Sequence, residues 1–332
     1  MTARALGLAL GYAADRLLGD PARFHPVAGF GSLAMAFERR TYADSRRRGS
    51  LHTAALVGGA AVLGLAAERA ASGPVPRTLA TAAATWVVLG GRSLEREAMS
   101  VHALLVADDL PAARLRLRRL VGRDTGSLDA RDISRAVVES VAENTSDAVV
   151  APLVWGGLAG IPGLFGYRAA NTLDAMVGHH SARYEHYGWA SARLDDLHNL
   201  PGARLTGLLA VALGDDPSAA WRAWRRDAAR HPSPNAGVAE AAFAGALGVR
   251  LGGTNTYYGN RVEHRAEMGD GAAPEPADIA VAVRLARQVG LGAAVTAAAV
   301  AAVLRGRCLS PRPAGFGRSR PSSPRPSRRS SR

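Results

Sequence analysis

The sequence predicts an all-α, multi-pass integral membrane protein with short spans and a broken or re-entrant central segment. Three observations carry that expectation. Runs without Asp, Glu, Lys or Arg recur at residues 51–67, 78–91, 148–167 and 289–304. Arg39, Arg40, Arg46, Arg47 and Arg48 precede the first run, which marks its N-terminal side as cytoplasmic. The third run is interrupted by Pro152, Pro162 and five glycines, and acids and amides flank it on both sides.

In chain order, residues 5–14 are apolar, but Asp15, Arg16 and Asp20 follow without a small-residue cleavage site. The stretch therefore reads as a first helix rather than a secretory signal. It stops at Gly19-Asp20-Pro21, because proline disfavours helix in the residue before it. A tight loop with His25-Pro26 leads to a second helix from about Val27. Asp20 and His25 have two readings: a helix cap and a packed turn, or working residues on a loop.

A bilayer span needs about 20 apolar residues, with about 17 as the lower bound. Residues 51–67 reach that bound, and residues 78–91 do so only if Arg77 and Arg92 snorkel. The soluble alternative is an Ala-rich helical hairpin inside a bundle. Residues 92–132 are charged and helical in pattern, with Pro111 at a helix start. There Arg114, Arg116, Arg118 and Arg119 form a basic face, either solvated or turned to an anionic lipid or phosphorylated substrate.

The working centre lies around the third run. Glu139, Glu143 and Asp147 follow one another at four-residue spacing and form a carboxylate stripe on a helix. Like charges so placed repel unless a cation sits between them. Asn171, Asp174 and Gly178 share a second face, and Asp195 and Asn199 a third. Residues 148–167 are long enough to span, yet a simple span would put Glu143 and Asn171 on opposite sides of the membrane. If both serve one site, the segment must break or re-enter, which is tolerated where it lines a cavity or lies within protein.

Beyond it, residues 205–214 are a short apolar piece, and Trp221 and Trp224 suit an interfacial helix. A loop, a small-residue helix and a Gly-rich loop follow, with Asn235, Glu240, Gly252, Gly253, Asn255 and Tyr258 as the polar or permissive positions. A Gly-Gly loop can wrap phosphate, although Walker spacing is absent. His179, His180, His186 and His198 lack the H-E-x-x-H spacing of zinc sites, so no structural metal is expected.

Nine arginines and no acid lie between Arg305 and Arg332, so most of the net charge of +13 belongs to the tail. The domain division is therefore 1–304, a polytopic membrane domain, and 305–332, a disordered Arg/Ser/Pro-rich tail. Nucleic acid is not an expected partner, since no aromatic platform accompanies the arginines. The single Cys308 excludes an intramolecular disulfide.

Several stretches together carry a resemblance: DRLLGDPARFHPV, ESVAENTSDAVVAPL, YRAANTLDAMVGH, ARLDDLHNLPGARLT and SPNAGVAEAAFAGALGVRLGG. In this order they resemble the CobD/CbiB family of cobalamin biosynthesis, over about residues 5–304. Two departures are minor. His179-His180 stands where an aromatic or basic pair is more usual, and Thr145-Ser146 follows the AEN triplet.

The resemblance implies a multi-pass protein of the cell membrane that makes adenosylcobinamide phosphate. Such an enzyme joins the corrinoid adenosylcobyric acid to (R)-1-aminopropan-2-ol phosphate, or to the free amino alcohol, in an ATP-dependent amide ligation. Expected partners are the corrinoid, the amino alcohol, the lipid bilayer and other membrane proteins of cobalamin assembly. ATP and Mg²⁺ are the implied cofactors, with no tightly bound prosthetic group. Carboxylate activation needs Mg²⁺ on oxygen ligands and donors that steady phosphoryl charge.

On that chemistry Glu143, Asp147, Asp174 and Asp195 are the catalytic candidates, and Glu143 and Asp147 the Mg²⁺ ligands. Asp20, His25, Asn144, Arg168, Asn171, Asn199, Asn235, Gly252 and Gly253 are the substrate-binding candidates. For each acid the competing reading is a helix cap or an ion pair. The rival function is a corrinoid-handling membrane carrier or assembly subunit without ligase activity of its own, which would share the broken helices.

Overall fold

The computed structural model describes residues 2–20, 25–257 and 261–309. It is built almost wholly of helices, which begin where caps and prolines direct. Helix α1, Ala3–Leu18, starts where the Thr2 hydroxyl accepts from the Ala5 N–H at 3.1 Å and ends at Gly19. Helix α2, Pro26–Thr41, has proline in its first turn and His25 as N-cap, its ring Nδ1 accepting from the Val27 N–H at 3.2 Å. Asp20 caps neither helix; it pairs with His25 at 3.8 Å.

Two long helical stretches are apolar enough to cross a membrane: α3, Arg46–Ala70, and residues Pro276–Leu304 of α13, Pro276–Leu309. Only 22% and 33% of their apolar windows are buried, so most of each faces outward. Between them α4, Pro74–Val88, packs along α1. Helix α5, Gly91–Val106, and α6, Leu110–Leu117, follow, the latter with Pro111 in its first turn as expected. The basic face of α6 is satisfied locally. Arg116 and Arg119 hold Glu97 at 2.7 and 3.5 Å, and Arg114 donates to the Leu128 carbonyl at 2.7 Å.

The uncharged central segment folds back on itself. Helix α7, Ala130–Thr145, runs into a π-helical turn, Ser146–Val150, and then α8, Ala151–Ala159. At Gly160 the backbone takes φ 71°, ψ −147°, a conformation open essentially only to glycine. The chain reverses there into α9, Ile161–Leu173, which continues into a second π-turn, Asp174–Gly178.

An ion pair clamps the reversal. Arg4 and Glu68 meet at 3.1 Å; Glu68 also accepts from the Ile161 N–H at 3.3 Å, and Arg4 donates to the Leu158 carbonyl at 3.4 Å. Helix α9 then packs antiparallel to α3, with Pro162 beside Gly64 and Gly166 beside Ala61. Its end returns to the start of the segment, where the Tyr167 hydroxyl lies 2.8 Å from the Asp147 carbonyl.

Helix α10, Trp189–Leu213, carries the third polar face, and α11, Pro217–Asp227, packs on α12, Ala236–Leu247. Helix α12 is buried over nearly its whole length and centres the core on Phe243, with α7 and α13 beside it.

One expectation is corrected. The Gly-rich loop after α12 is an antiparallel β-hairpin, β1 Leu251–Tyr257 with β2 Arg261–Met268, so the fold is helical with one hairpin. Thr254 supplies a β-branched residue of the kind that favours extended chain, and the register shifts between Leu251 and Gly253. At the C-terminus α13 continues to Leu309, past the expected boundary at 304. The tail at 310–332 and Tyr258 lie outside the described residues.

Replacing Gly160 should test the reversal. A Cβ there would lie 2.6 Å from the Glu68 carboxylate, and the backbone strain alone costs about 1–3 kcal/mol. Gly160→Ala is expected to lower the thermal unfolding midpoint of the detergent-purified protein. An unchanged midpoint would show that the turn adapts.

Candidate functional site

Because the central segment returns, both of its flanks open on one cavity of about 640 Å³. From α7 and the first π-turn come Glu143, Asn144 and Asp147. From α9 and the second π-turn come Arg168, Asn171 and Asp174, and from α10 Asp195, Asp196 and Asn199. Ser233 and Asn235, just before α12, and Val27 of α2 complete the wall. Asp147 and Asp174 both sit in π-turns, irregularities that recur at functional sites.

Asp195 is the best-held acid. Asn199 donates its amide N–H to one carboxylate oxygen at 2.9 Å, and Asn171 donates to the other at 3.4 Å. The Tyr167 hydroxyl, almost fully buried, donates to Asn199 Oδ1 at 2.6 Å. Arg168 donates to Asn171 Oδ1 at 3.3 Å. On the far wall Asn235 accepts from Arg204 at 2.8 Å and donates to the Asp196 carbonyl at 2.7 Å. Asn144 turns back on its own helix, donating to the Ser140 carbonyl at 2.9 Å.

Burial and mutual repulsion disfavour the charged carboxylates. Asp195 is pushed up to about 7, first by burial and then by Asp174, although the Asn171 and Asn199 hydrogen bonds oppose the rise. Burial, then Asp196 and Glu143, raise Asp174 to about 6. Asp147 stands well above the ordinary carboxylate range, through burial and then Glu143, Asp195 and Asp174. Glu143 is raised by burial, with Arg265 opposing.

Among the described residues lining the cavity, Arg168 is the cationic side chain. A cavity so rich in carboxylates and so poor in balancing charge fits a divalent cation or an ammonium group. Among the described residues no three His, Cys, Asp or Glu side chains converge as a metal-binding set. The donor set fits Mg²⁺, which commonly takes one or two protein carboxylates and draws its other ligands from phosphate and water. Glu143 and Asp147, the two acids expected from the sequence to hold it, both line the cavity.

Other sequence candidates fall elsewhere. Asp20 and His25, which stand between α1 and α2, are not among the cavity-lining residues, although Asp20 acts electrostatically on Arg168, and Val27, which His25 caps, lines the cavity. Gly252 and Gly253 lie in β1, outside the cavity. The Gly252 N–H is already donated to Glu139 at 2.9 Å. Glu139 is also spoken for: it takes Arg123 at 2.8 Å and Arg135 at 3.5 Å, and anchors the hairpin on α7. The stripe therefore divides into one structural acid and two that face the cavity.

Sequence reasoning missed Tyr167 and Ser233. Tyr167 was the last residue of an uncharged run, and only its phenol among apolar neighbours hinted at a partner. The histidines scatter: His180 pairs with Glu185 at 3.0 Å, His186 with Asp44 at 2.9 Å, and His179 and His198 pack on Tyr184 and Trp155.

The family described as "CobD/Cbib protein" matches residues 8–286. A cobalamin biosynthesis protein CobD of Mycobacterium tuberculosis is 51% identical over 298 residues, covering 89% of this chain and 95% of the relative. A protein of the same name from Chromobacterium violaceum is 44% identical over 305 residues, covering 89% and 96%. One from Geobacter metallireducens is 46% identical over 270 residues, covering 78% and 85%. No solved structure matches the chain.

The raised acids predict a pH dependence of stability. Their folded-state values lie above the unfolded value near 3.8. The folded state thus binds protons more tightly, and stability falls as pH rises from about 4 through 6 and 7. Without divalent cations the unfolding midpoint should drop between pH 5 and pH 8, and Mg²⁺ should restore it most at pH 8. A midpoint indifferent to both would remove the repulsion from the account.

Proposed function

The chain belongs to the CobD/CbiB family of cobalamin biosynthesis proteins, and on that premise we propose that it is the ATP-dependent ligase that makes adenosylcobinamide phosphate or cobinamide. It would join the free propionate of adenosylcobyric acid to (R)-1-aminopropan-2-ol phosphate or the free amino alcohol. The observation that supports this reading best is the acid-rich cavity assembled from both flanks of the folded-back segment. We place the protein in the cell membrane as a multi-pass chain, with α3 and α13 crossing and the α8–α9 hairpin entering and returning.

A cavity of about 640 Å³ suits a drug-sized ligand. It would take the amino alcohol and the propionate arm while the macrocycle stays at its mouth. Bound Mg²⁺ and ATP would supply the phosphoryl group that turns the propionate into an acyl phosphate. Glu143 and Asp147 would hold the cation and so relieve their own repulsion. Arg168 and Asn171, bonded to each other, would orient phosphate oxygens.

Asp174 and Asp195 would receive the amino alcohol as its ammonium. With a value of about 7, Asp195 is matched to taking the proton from that amine near neutral pH. The free amine then attacks the activated carbonyl carbon, the C–N bond forms, and inorganic phosphate leaves.

The test is to purify the protein in detergent and supply adenosylcobyric acid, the amino alcohol or its phosphate, ATP and Mg²⁺. Mass detection of the cobinamide product, dependent on every component, is the expected result. Corrinoid binding without turnover would favour the carrier or assembly-subunit role instead. Asp147→Asn and Glu143→Gln should each lower kcat by about two orders of magnitude or more, the scale of one lost electrostatic contribution. Glu139→Gln should cost stability before rate, since it loosens Arg123 and the hairpin. Near-normal turnover by Asp147→Asn at limiting Mg²⁺ would remove that acid from the site.

A further inference from the structure

We propose that Tyr167 is a positioning residue of the site: its hydroxyl sets the orientation of Asn199, and through it the carboxylate of Asp195, against the turn that carries Asp147. The assignment rests on the ligation reading above. Tyr167 is 2% exposed, and its hydroxyl lies 2.6 Å from Asn199 Oδ1 and 2.8 Å from the Asp147 carbonyl. A phenol has one proton to give, and here both neighbours are acceptors. Three elements therefore meet at a single O–H: α9, the first π-turn and α10.

The consequence lies in the amide. Asn199 can present either its oxygen or its NH₂ to Asp195, and the two ends have nearly the same shape. With Oδ1 taken by the phenol, the NH₂ faces Asp195 Oδ2 at 2.9 Å. Without the phenol, the bond to Asp195 is the one hydrogen bond left to the Asn199 side chain among the described residues, and the amide is free to swing out of line. Asp195 would then turn away or lose a donor, and the amine-facing oxygen would move. Asn171 alone, at 3.4 Å, is a weaker hold. Tyr167 need not touch substrate for this, and it does not line the cavity.

Tyr167→Phe in the full-length, detergent-purified enzyme tests the assignment. Loss of a group that only orients a reacting side chain typically costs about 10–100-fold. We expect kcat for amide formation to fall in that range, with KM for the amino alcohol changed by less than about twofold and the unfolding midpoint near wild type. A merely structural role would instead lower the midpoint and leave kcat per folded molecule intact, which overturns the proposal.

A double-mutant cycle with Asn199→Ala adds the readout that a packing role would not move. If Tyr167 acts through Asn199, the double variant is no slower than the slower single variant. Costs that multiply would overturn the proposal. Should Tyr167→Phe fail to fold, Asn199→Ala crossed with Asp195→Asn carries the same test one bond further on. A wild-type enzyme that forms no amide sinks the ligation reading and this assignment with it. That result differs from an active wild type whose Tyr167→Phe variant is equally fast, which sinks the assignment alone.

Discussion

The reversal at Gly160 is the constraint on which the rest of the structure depends. An uncharged stretch of twenty residues, left straight, would carry Glu143 and Asn171 apart. The positive φ at one glycine, held by Arg4 and Glu68, turns it into two short helices side by side. Each clamp residue comes from a different helix, α1 and α3, so the outer helices and the central hairpin share one set of contacts at the turn. The clamp also satisfies part of the backbone that any helix end leaves open, here the Ile161 N–H and the Leu158 carbonyl.

What the reversal assembles is electrostatically costly. Five carboxylates share one cavity, and burial makes their charge expensive before the neighbours of Asp147, Asp174 and Asp195 make it more so. A protein selected for stability alone would pair each acid, as it does with Glu139 and two arginines. The contrast within one helix is informative. Glu139 and Glu143 are one turn apart, yet one is enclosed by cations and the other opens on the cavity. Glu143 feels Arg265 and Arg123 only as opposing charges, where Glu139 bonds two arginines directly, and this contrast is what motivates the proposed cation.

Much of this was legible in the sequence, for physical reasons. Acids and amides at helical spacing announce a common face, and prolines and glycines in an uncharged run announce a break, so Glu143, Asp147, Asn171, Asp174, Asp195 and Asn199 could be gathered in advance. Helices α3 and α13 are long and apolar enough to cross a membrane, and they coincide with the expected runs at residues 51–67 and 289–304. Other features were not legible. The partner of Glu139 is the N–H of Gly252, more than a hundred residues away, and no local pattern encodes that. Gly252 and Gly253 looked like a phosphate loop because glycine marks both such loops and irregular strands. Tyr167 was hidden by its surroundings, since one phenol in an apolar run signals packing as readily as a hydrogen bond.

The two π-turns have a consequence for how this sequence can change. A π-turn holds one residue more than the α-helix around it would need. Deleting one residue from Ser146–Val150 would remove that surplus and let α7 run into α8 as one regular helix. The helices on either side would keep their phase, because the turn has already absorbed the extra residue. Only the side chains inside the turn would be re-aimed, and Asp147 is one of them. A length change of one is therefore tolerated by both flanking helices and felt by the acid between them.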